Sequence, residues 1–227
     1  MAPEGRVAVY YAPSADDPLF AAGSAWLGRD PRAGTQTAQP DFSGISEITA
    51  EPRRYGFHAT LKPPMRLNDD RRWSGLLAAT AELAERVAPF VMTPLAVTDV
   101  HGFLALRETA PCPPLQALAD TCVEQLDHFR AAPDEAELAR RRHARLSAEQ
   151  EAMLVRWGYP YVFGTWFFHM TLTRRLTPEE KRTWQPAAER FFAAAAREPR
   201  TVRDICLFVQ ASPGAPFILR ERLPLRG

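Results

Sequence analysis

Hydrophobic positions along this chain follow two different periods, and the switches between them outline the elements. RVAVYYAP at 6–13 is almost wholly apolar and predicts a strand that opens the fold. DDPLFAAGSAWLGRD at 16–30 begins with a capping-type Asp and an early Pro, then carries apolar residues at helical spacing. Residues 31–47 are rich in Gly, Pro, Ser and Thr and predict a long loop. A short strand is expected over about 55–62, ended by Pro63-Pro64, and an amphipathic helix over 69–88. Residues 91–98 and 101–107 read as a hairpin turning at His101-Gly102, and 113–131 as a helix.

An Arg/Glu-rich helix is expected at 134–145. A second follows at 147–158, with Ser147 and Gln150 spaced as a capping box and Gly158 placed to end it. A strand is predicted over 161–173, then a helix over 177–196 kinked or broken at Pro186. TVRDICLFVQ and PFILRERLPL close the chain as a strand pair. Interleaved strands and helices with hairpins indicate an α+β or mixed α/β class. No linker or low-complexity tract divides the chain, so 1–227 reads as one domain or two small lobes sharing a core.

Composition narrows the partners. Lys+Arg is 28 against Asp+Glu 27, a net charge of +1, which argues against capture of duplex DNA or acidic membrane by bulk electrostatics. A few local cations could still hold a small anion. Three scattered cysteines, no basic-apolar leader and no window long enough to span a membrane point to a cytoplasmic protein with inert thiols.

Two short frames carry the chemistry. RRYGFHATLKPP at 53–64 and WFFHMTLTRR at 166–175 both contain Phe-His-x-Thr-Leu, although the chain has only five histidines. At average residue usage the odds of a second such frame by chance are about one in a thousand. Read as strands, each frame puts His and Thr on one face (His58 with Thr60, His169 with Thr171). Phe57, Ala59 and Leu61, and likewise Phe168, Met170 and Leu172, point to the opposite, apolar face. Lys62 and Thr173 extend the polar faces; Arg174 breaks the pattern, so the second strand should end before it.

Histidine titrates near neutrality, so one ring can act as general base while its partner acts as general acid. Threonine hydroxyls can donate to non-bridging phosphoryl oxygens, and in-line displacement at phosphorus wants proton-transfer groups on opposite sides. This chemistry needs neither metal nor other cofactor. Two other classes remain: a metal-dependent hydrolase using the histidines as ligands, disfavoured because neither motif holds an acidic residue, and a module that binds a phosphorylated metabolite without turnover.

His58-Ala59-Thr60-Leu61 and His169-Met170-Thr171-Leu172 resemble the twin HxTL signatures of the two-histidine (2H) phosphoesterase superfamily, which includes RNA 2′,3′-cyclic phosphodiesterases and the so-called 2′-5′ RNA ligases. The longer stretches RRYGFHATLKPP and RWGYPYVFGTWFFHMTLT are similar to its DUF1045-like branch, associated with phosphonate-utilisation operons. The resemblance covers most of the chain. It implies an α+β fold of two pseudo-symmetric lobes, each an antiparallel sheet with outer helices, flanking a central groove. It also implies His58 and His169 as the acid–base pair and Thr60 and Thr171 as phosphate binders. The implied activity is that of a cyclic phosphodiesterase acting on a small phosphorylated substrate, with a ribosyl 1,2-cyclic phosphate as the phosphonate-linked candidate and an RNA end as the alternative.

One departure stands out: an Arg often precedes the second Phe-His in that branch, whereas residue 167 here is Phe. Arg54, Lys62, Arg174 and Arg175 are candidates to replace it. Tyr11 and Tyr55 are the favoured aromatic contacts, and Thr173 a further polar one. The ARRRHAR run at 139–145 reads as a solvated helix face balanced by the preceding glutamates, in preference to an RNA-binding patch. His101, His128 and His143 read as structural or solvent-facing. No P-loop, GxGxxG, HExxH or nucleophile-elbow pattern is present.

Overall fold

The computed structural model describes residues 5–143 and 145–227. Its strands are β1 (Arg6–Tyr11), β2 (Ala59–Met65), β3 (Phe90–Met92), β4 (Leu95–Val100), β5 (Phe103–Glu108), β6 (Met170–Thr171), β7 (Arg200–Val202), β8 (Asp204–Gln210) and β9 (Phe217–Pro224). Its α-helices are α1 (Pro18–Leu27), α2 (Ile45–Ile48), α3 (Ala50–Arg53), α4 (Trp73–Glu85), α5 (Pro113–Gln125), α6 (Glu135–Arg142), α7 (Ala148–Trp157) and α8 (Pro178–Arg197). Seven strands form one antiparallel sheet in the order β4-β5-β6-β2-β1-β8-β9, and β3 pairs separately with β7. The class is α+β. The two expected lobes are the two arms of this sheet, three strands on one side and four on the other, joined where β6 meets β2.

Local chemistry explains most boundaries. Asp17 accepts from Leu19 N–H, Pro18 opens α1, and Gly28 closes it at φ 74°. Ser147 and Gln150 form the expected capping box, and Gly158 ends α7 at φ 71°. His101 and Gly102, at φ 50° and 104°, make the two-residue turn between β4 and β5.

Three expectations change. Pro63 and Pro64 lie inside β2. The β1–β2 register is irregular there and β6 reaches β2 only at Ala59, so their missing N–H groups cost little. The second motif strand is only Met170–Thr171, because the chain before it turns through Phe163–Thr165. Helix α8 runs unbroken through Pro186.

The sheet's two faces differ sharply. Val7, Val9, Leu61, Leu104, Leu106, Ile205 and Leu207 share one large core with α1, α4, α5 and α8. Among the described residues the opposite face carries a small apolar cluster, Ala8, Tyr10, Ala12, Cys206, Phe208 and Phe217, with Tyr55 and Leu219 packed on it. Among the described residues no helix is long and apolar enough to cross a membrane.

Phe57 anchors the first motif to the core, fully buried beside Gly23 of α1. A Cβ on Gly23 would lie 2.2 Å from the Phe57 ring. Gly→Ala within a helix ordinarily stabilises by about 0.5–1 kcal/mol. Here overpacking reverses the sign: Gly23→Ala is expected to lower stability by about 1–3 kcal/mol in urea denaturation.

Candidate active site

The two motifs meet at the centre of the sheet. Ala59 pairs with Met170 across antiparallel strands. Continuing that register sets His58 across from Thr171 and Thr60 across from His169, so a local two-fold relates the frames. Alternation turns all four side chains to the open face, where they line one cavity of about 1030 Å³. Phe57, Ala59, Leu61, Phe168, Met170 and Leu172 are buried, as the alternation requires. By sheet geometry the imidazoles stand diagonally, with Cβ atoms roughly 7 Å apart. A phosphoryl group accepting one hydrogen bond of about 2.8 Å from each side fits that gap.

The same backbone device orients both rings. His58 Nδ1 lies 2.9 Å from the Gly56 carbonyl, and His169 Nδ1 lies 3.1 Å from that of Phe167. A carbonyl only accepts, so each Nδ1 carries the proton and each neutral ring offers a bare Nε2. Thr60 Oγ1 is 3.5 Å from His58 Nε2. Tyr10 stacks on His58 at 3.8 Å between centroids and 23° between planes, and Phe167 packs on His169 at 4.8 Å. Trp166 Nε1 donates to the Thr60 carbonyl at 2.9 Å, and Trp26 Nε1 to that of Leu172 at 3.0 Å. Indole bonds thus tie both motifs to their surroundings.

Burial, aided by the charge of His169, pushes the His58 pKa down to about 4. Burial and then the Arg107 guanidinium push His169 below its ordinary value. Both rings are therefore neutral at neutral pH in the free protein.

Of the further contacts expected from sequence, Tyr55, Thr173 and Arg175 line the cavity. The Thr173 hydroxyl is already engaged, accepting from Leu104 N–H at 3.0 Å. Four others are turned away. Tyr11 is buried in the helix-side core against Phe168; its neighbour Tyr10, on the alternate face, is the cavity residue. Lys62 is buried and donates to the Val123 carbonyl and to Asp127 at 3.0 Å. Tyr10 pairs with Thr60 but Val9 with Lys62, so Leu61 is an extra residue; this bulge flips Lys62 to the helix side. Arg174 forms a two-pronged pair with Glu180, at 2.8 and 3.2 Å. Arg54 donates to the Gly214 carbonyl at 3.0 Å. Neither is among the residues lining the cavity.

Arg6, Arg66, Arg140 and Arg141 line the cavity without having been singled out as site residues. Arg6 shares its face of β1 with Ala8 and Tyr10, and the apolar run RVAVYYAP gives no alternation that would have shown it. Arg140 and Arg141 belong to the run read as a solvated face balanced by preceding glutamates, and Arg140 is exposed and Arg141 pairs with Glu137 at 2.7 Å as that reading expects, although both also line the cavity; Arg142 pairs instead with Glu151 of α7 at 2.6 Å. Among the described residues no three His, Cys, Asp or Glu side chains converge as a metal site would require.

A family model described as a protein of unknown function, DUF1045, matches residues 60–218. The chain belongs to the DUF1045 family. A curated relative from Janthinobacterium sp. (strain Marseille), named ribose 1,5-bisphosphate phosphokinase PhnN, is 40% identical over 98% of this chain and 51% of its own length. One of the same name from Laribacter hongkongensis (strain HLHK9) is 36% identical over 94% of this chain and 50% of its own. The chain thus spans about half the length of these relatives. Among solved structures, E. coli LigT complexed with NADP+ aligns over all of both chains at 15% identity and TM-score 0.47. TT0787 of Thermus thermophilus aligns over 98% of each at 16% and 0.46.

The depressed His58 pKa links the site to stability. Between pH 6.5 and 4 the unfolded ring binds the proton that the folded ring refuses. Stability is therefore intact above pH 6.5 and lost as pH falls toward about 4. With the ring half-buried the loss is roughly 2–3 kcal/mol. His58→Gln should flatten this part of the stability–pH curve, measured by urea denaturation at successive pH values.

Proposed function

We propose that this DUF1045 protein is a cyclic phosphodiesterase that works by paired histidine acid–base catalysis. The observation that carries the reading is the convergence of two Nδ1-tethered imidazoles, each with a threonine beside it, in one open cavity. One Nε2 takes a proton from water as its oxygen attacks phosphorus. The bond from phosphorus to the leaving ring oxygen breaks, and the other ring, protonated, delivers its proton to that oxygen. Thr60 and Thr171 donate to the non-bridging oxygens, which carry the developing charge.

The substrate we favour is a ribosyl 1,2-cyclic phosphate. Breaking its bond to O2 leaves a ribose 1-phosphate. The curated relatives are named for a kinase acting on ribose 1,5-bisphosphate, a sugar with phosphate at that same carbon. The chain has no P-loop pattern of its own, so the kinase activity of those names is not assigned to it. The competing reading, hydrolysis of a 2′,3′-cyclic RNA end, uses the same catalytic groups.

Phosphorus NMR with both classes of cyclic ester separates the two. Conversion of the ribosyl compound to the 1-phosphate supports the proposal, and turnover of nucleoside 2′,3′-cyclic phosphates alone replaces it with RNA-end processing. His58→Ala and His169→Ala should each lower kcat by at least about a hundredfold. A single-histidine variant with near-normal rate is incompatible with the mechanism.

The pH profile follows from the burial of the rings. The base must be deprotonated, above about 4 if His58 plays that part, and the acid protonated, below a value that burial holds under the ordinary 6.5. The kcat/KM profile should therefore be a bell centred on the acid side of neutral. A bound phosphoryl anion favours the protonated ring, so the alkaline limb of kcat should lie at higher pH than that of kcat/KM.

A further inference from the structure

The cavity continues well past the histidines, and its far end is built differently. Val7 pairs with Met65, so the next step of the register sets Arg6 across from Arg66 at the end of β1 and β2. Arg6 lies four residues along β1 from Tyr10, which is paired with Thr60. That is about 13 Å of strand, shortened by however far an arginine side chain reaches back. Helix α6 faces this end from across the groove. It has no fully buried residue, and it puts Arg140 and Arg141 into the cavity wall.

These guanidiniums are incompletely satisfied. Among the described residues the exposed Arg140 side chain makes no hydrogen bond or ion pair with the protein. Arg141 pairs with Glu137 at 2.7 Å and lies over the Tyr159 ring at 4.9 Å, while its Nε is buried with no partner. Arg6 bonds the neutral amide of Gln210, at 2.8 Å, and Arg66 approaches Asp134 loosely, at 3.8 Å. Arginines from β1, the end of β2 and α6 line one end of the cavity, Arg66 and Arg140 exposed there, away from the reacting phosphorus and with donors to spare. Guanidinium forks match phosphate oxygens in geometry and charge.

We propose that Arg140 and Arg141 of α6, with Arg6 and Arg66 opposite, form a second anion subsite that holds a non-reacting phosphomonoester at the other end of the substrate. The inference rests on the phosphodiesterase reading for its substrate but not for its binding site. The preferred substrate is then a cyclic phosphodiester of a small sugar that carries a terminal phosphate. Arg140, having no structural partner among the described residues, is the cleanest residue to change.

Two measurements test it. In the first, kcat/KM is compared for ribosyl 1,2-cyclic phosphate with and without a phosphate on carbon 5. The native protein should prefer the phosphorylated compound, chiefly through KM, and Arg140→Gln should reduce that preference about tenfold, the scale of one charge-assisted bond. Equal rates for the two compounds, or a preference untouched by Arg140→Gln and Arg141→Gln together, overturn the subsite. Stronger preference for a dinucleotide ending in a 2′,3′-cyclic phosphate overturns the small-sugar assignment and gives the arginines to an internucleotide phosphate.

In the second, ribose 5-phosphate binding is followed by calorimetry, without turnover. Affinity should fall roughly tenfold in Arg140→Gln and much less in Thr60→Val with Thr171→Val; the reverse order overturns the subsite. Absence of turnover on every cyclic ester sinks the phosphodiesterase reading, and the calorimetric comparison still decides the subsite. Thermal melts of each variant exclude unfolding as the cause.

Discussion

One backbone pairing, Ala59 with Met170, makes a site out of two distant frames. Strand β6 is two residues long, yet it lies between β5 and β2 and closes the junction between the two arms of the sheet. Antiparallel pairing supplies the local two-fold that puts each histidine opposite the other frame's threonine. So short a strand cannot hold register by its own ladder. The holding is done by side chains: Met170 and Leu172 buried below, Trp26 bonded to the Leu172 carbonyl, and Trp166 reaching from the second motif to the Thr60 carbonyl. Packing and indole hydrogen bonds thus fix the separation that a shared phosphoryl group would require.

The electrostatics follow from the same placement. A ring whose Nδ1 is committed to a carbonyl has its tautomer chosen before any ligand arrives, and half-burial between aromatic rings keeps it neutral. A neutral imidazole is the useful resting state for a base but the wrong one for an acid. In the proposed reaction the substrate's own negative charge corrects this, since an anion beside Nε2 favours protonation of the nearer ring. The cavity's guanidiniums work in the opposite sense on the rings while attracting the anion. Separating the arginine-rich end from the histidines by several residues of strand limits that conflict.

Much of this was legible in the sequence, and the exceptions have local causes. The alternation in Phe57–Leu61 and Phe168–Leu172 gave the buried and open faces, and the twin frames gave the histidines and threonines. Lys62 was misplaced because a bulge at Leu61 shifts the face by one residue, and no turn residue marks it. Tyr11 was preferred to Tyr10 because an apolar run such as RVAVYYAP shows no alternation from which to choose a face. The length of β6 was overread because extended, apolar chain before it turns through Phe163–Thr165 instead of pairing. The cavity-facing arginines of α6 were illegible for a different reason: Arg140 and Arg142, two residues apart, look alike in sequence, and only the position of the helix above the open face separates them.

That position also separates a tightly packed site from a rim with no buried residue of its own. On the helix side α1, α4, α5 and α8 bury a continuous core against the sheet, and the motifs' apolar residues belong to it. Moving a histidine would mean disturbing that core, which is costly in a close-packed interior. On the open side α6 contributes nothing to either apolar cluster and is held by ion pairs such as Arg142–Glu151 and by the Arg141–Tyr159 contact. Exposed pairs of this kind are worth little individually. The proposed chemistry thus sits on the element that cannot move cheaply, and the proposed anion subsite joins two arginines of that sheet to two of the loosely held α6.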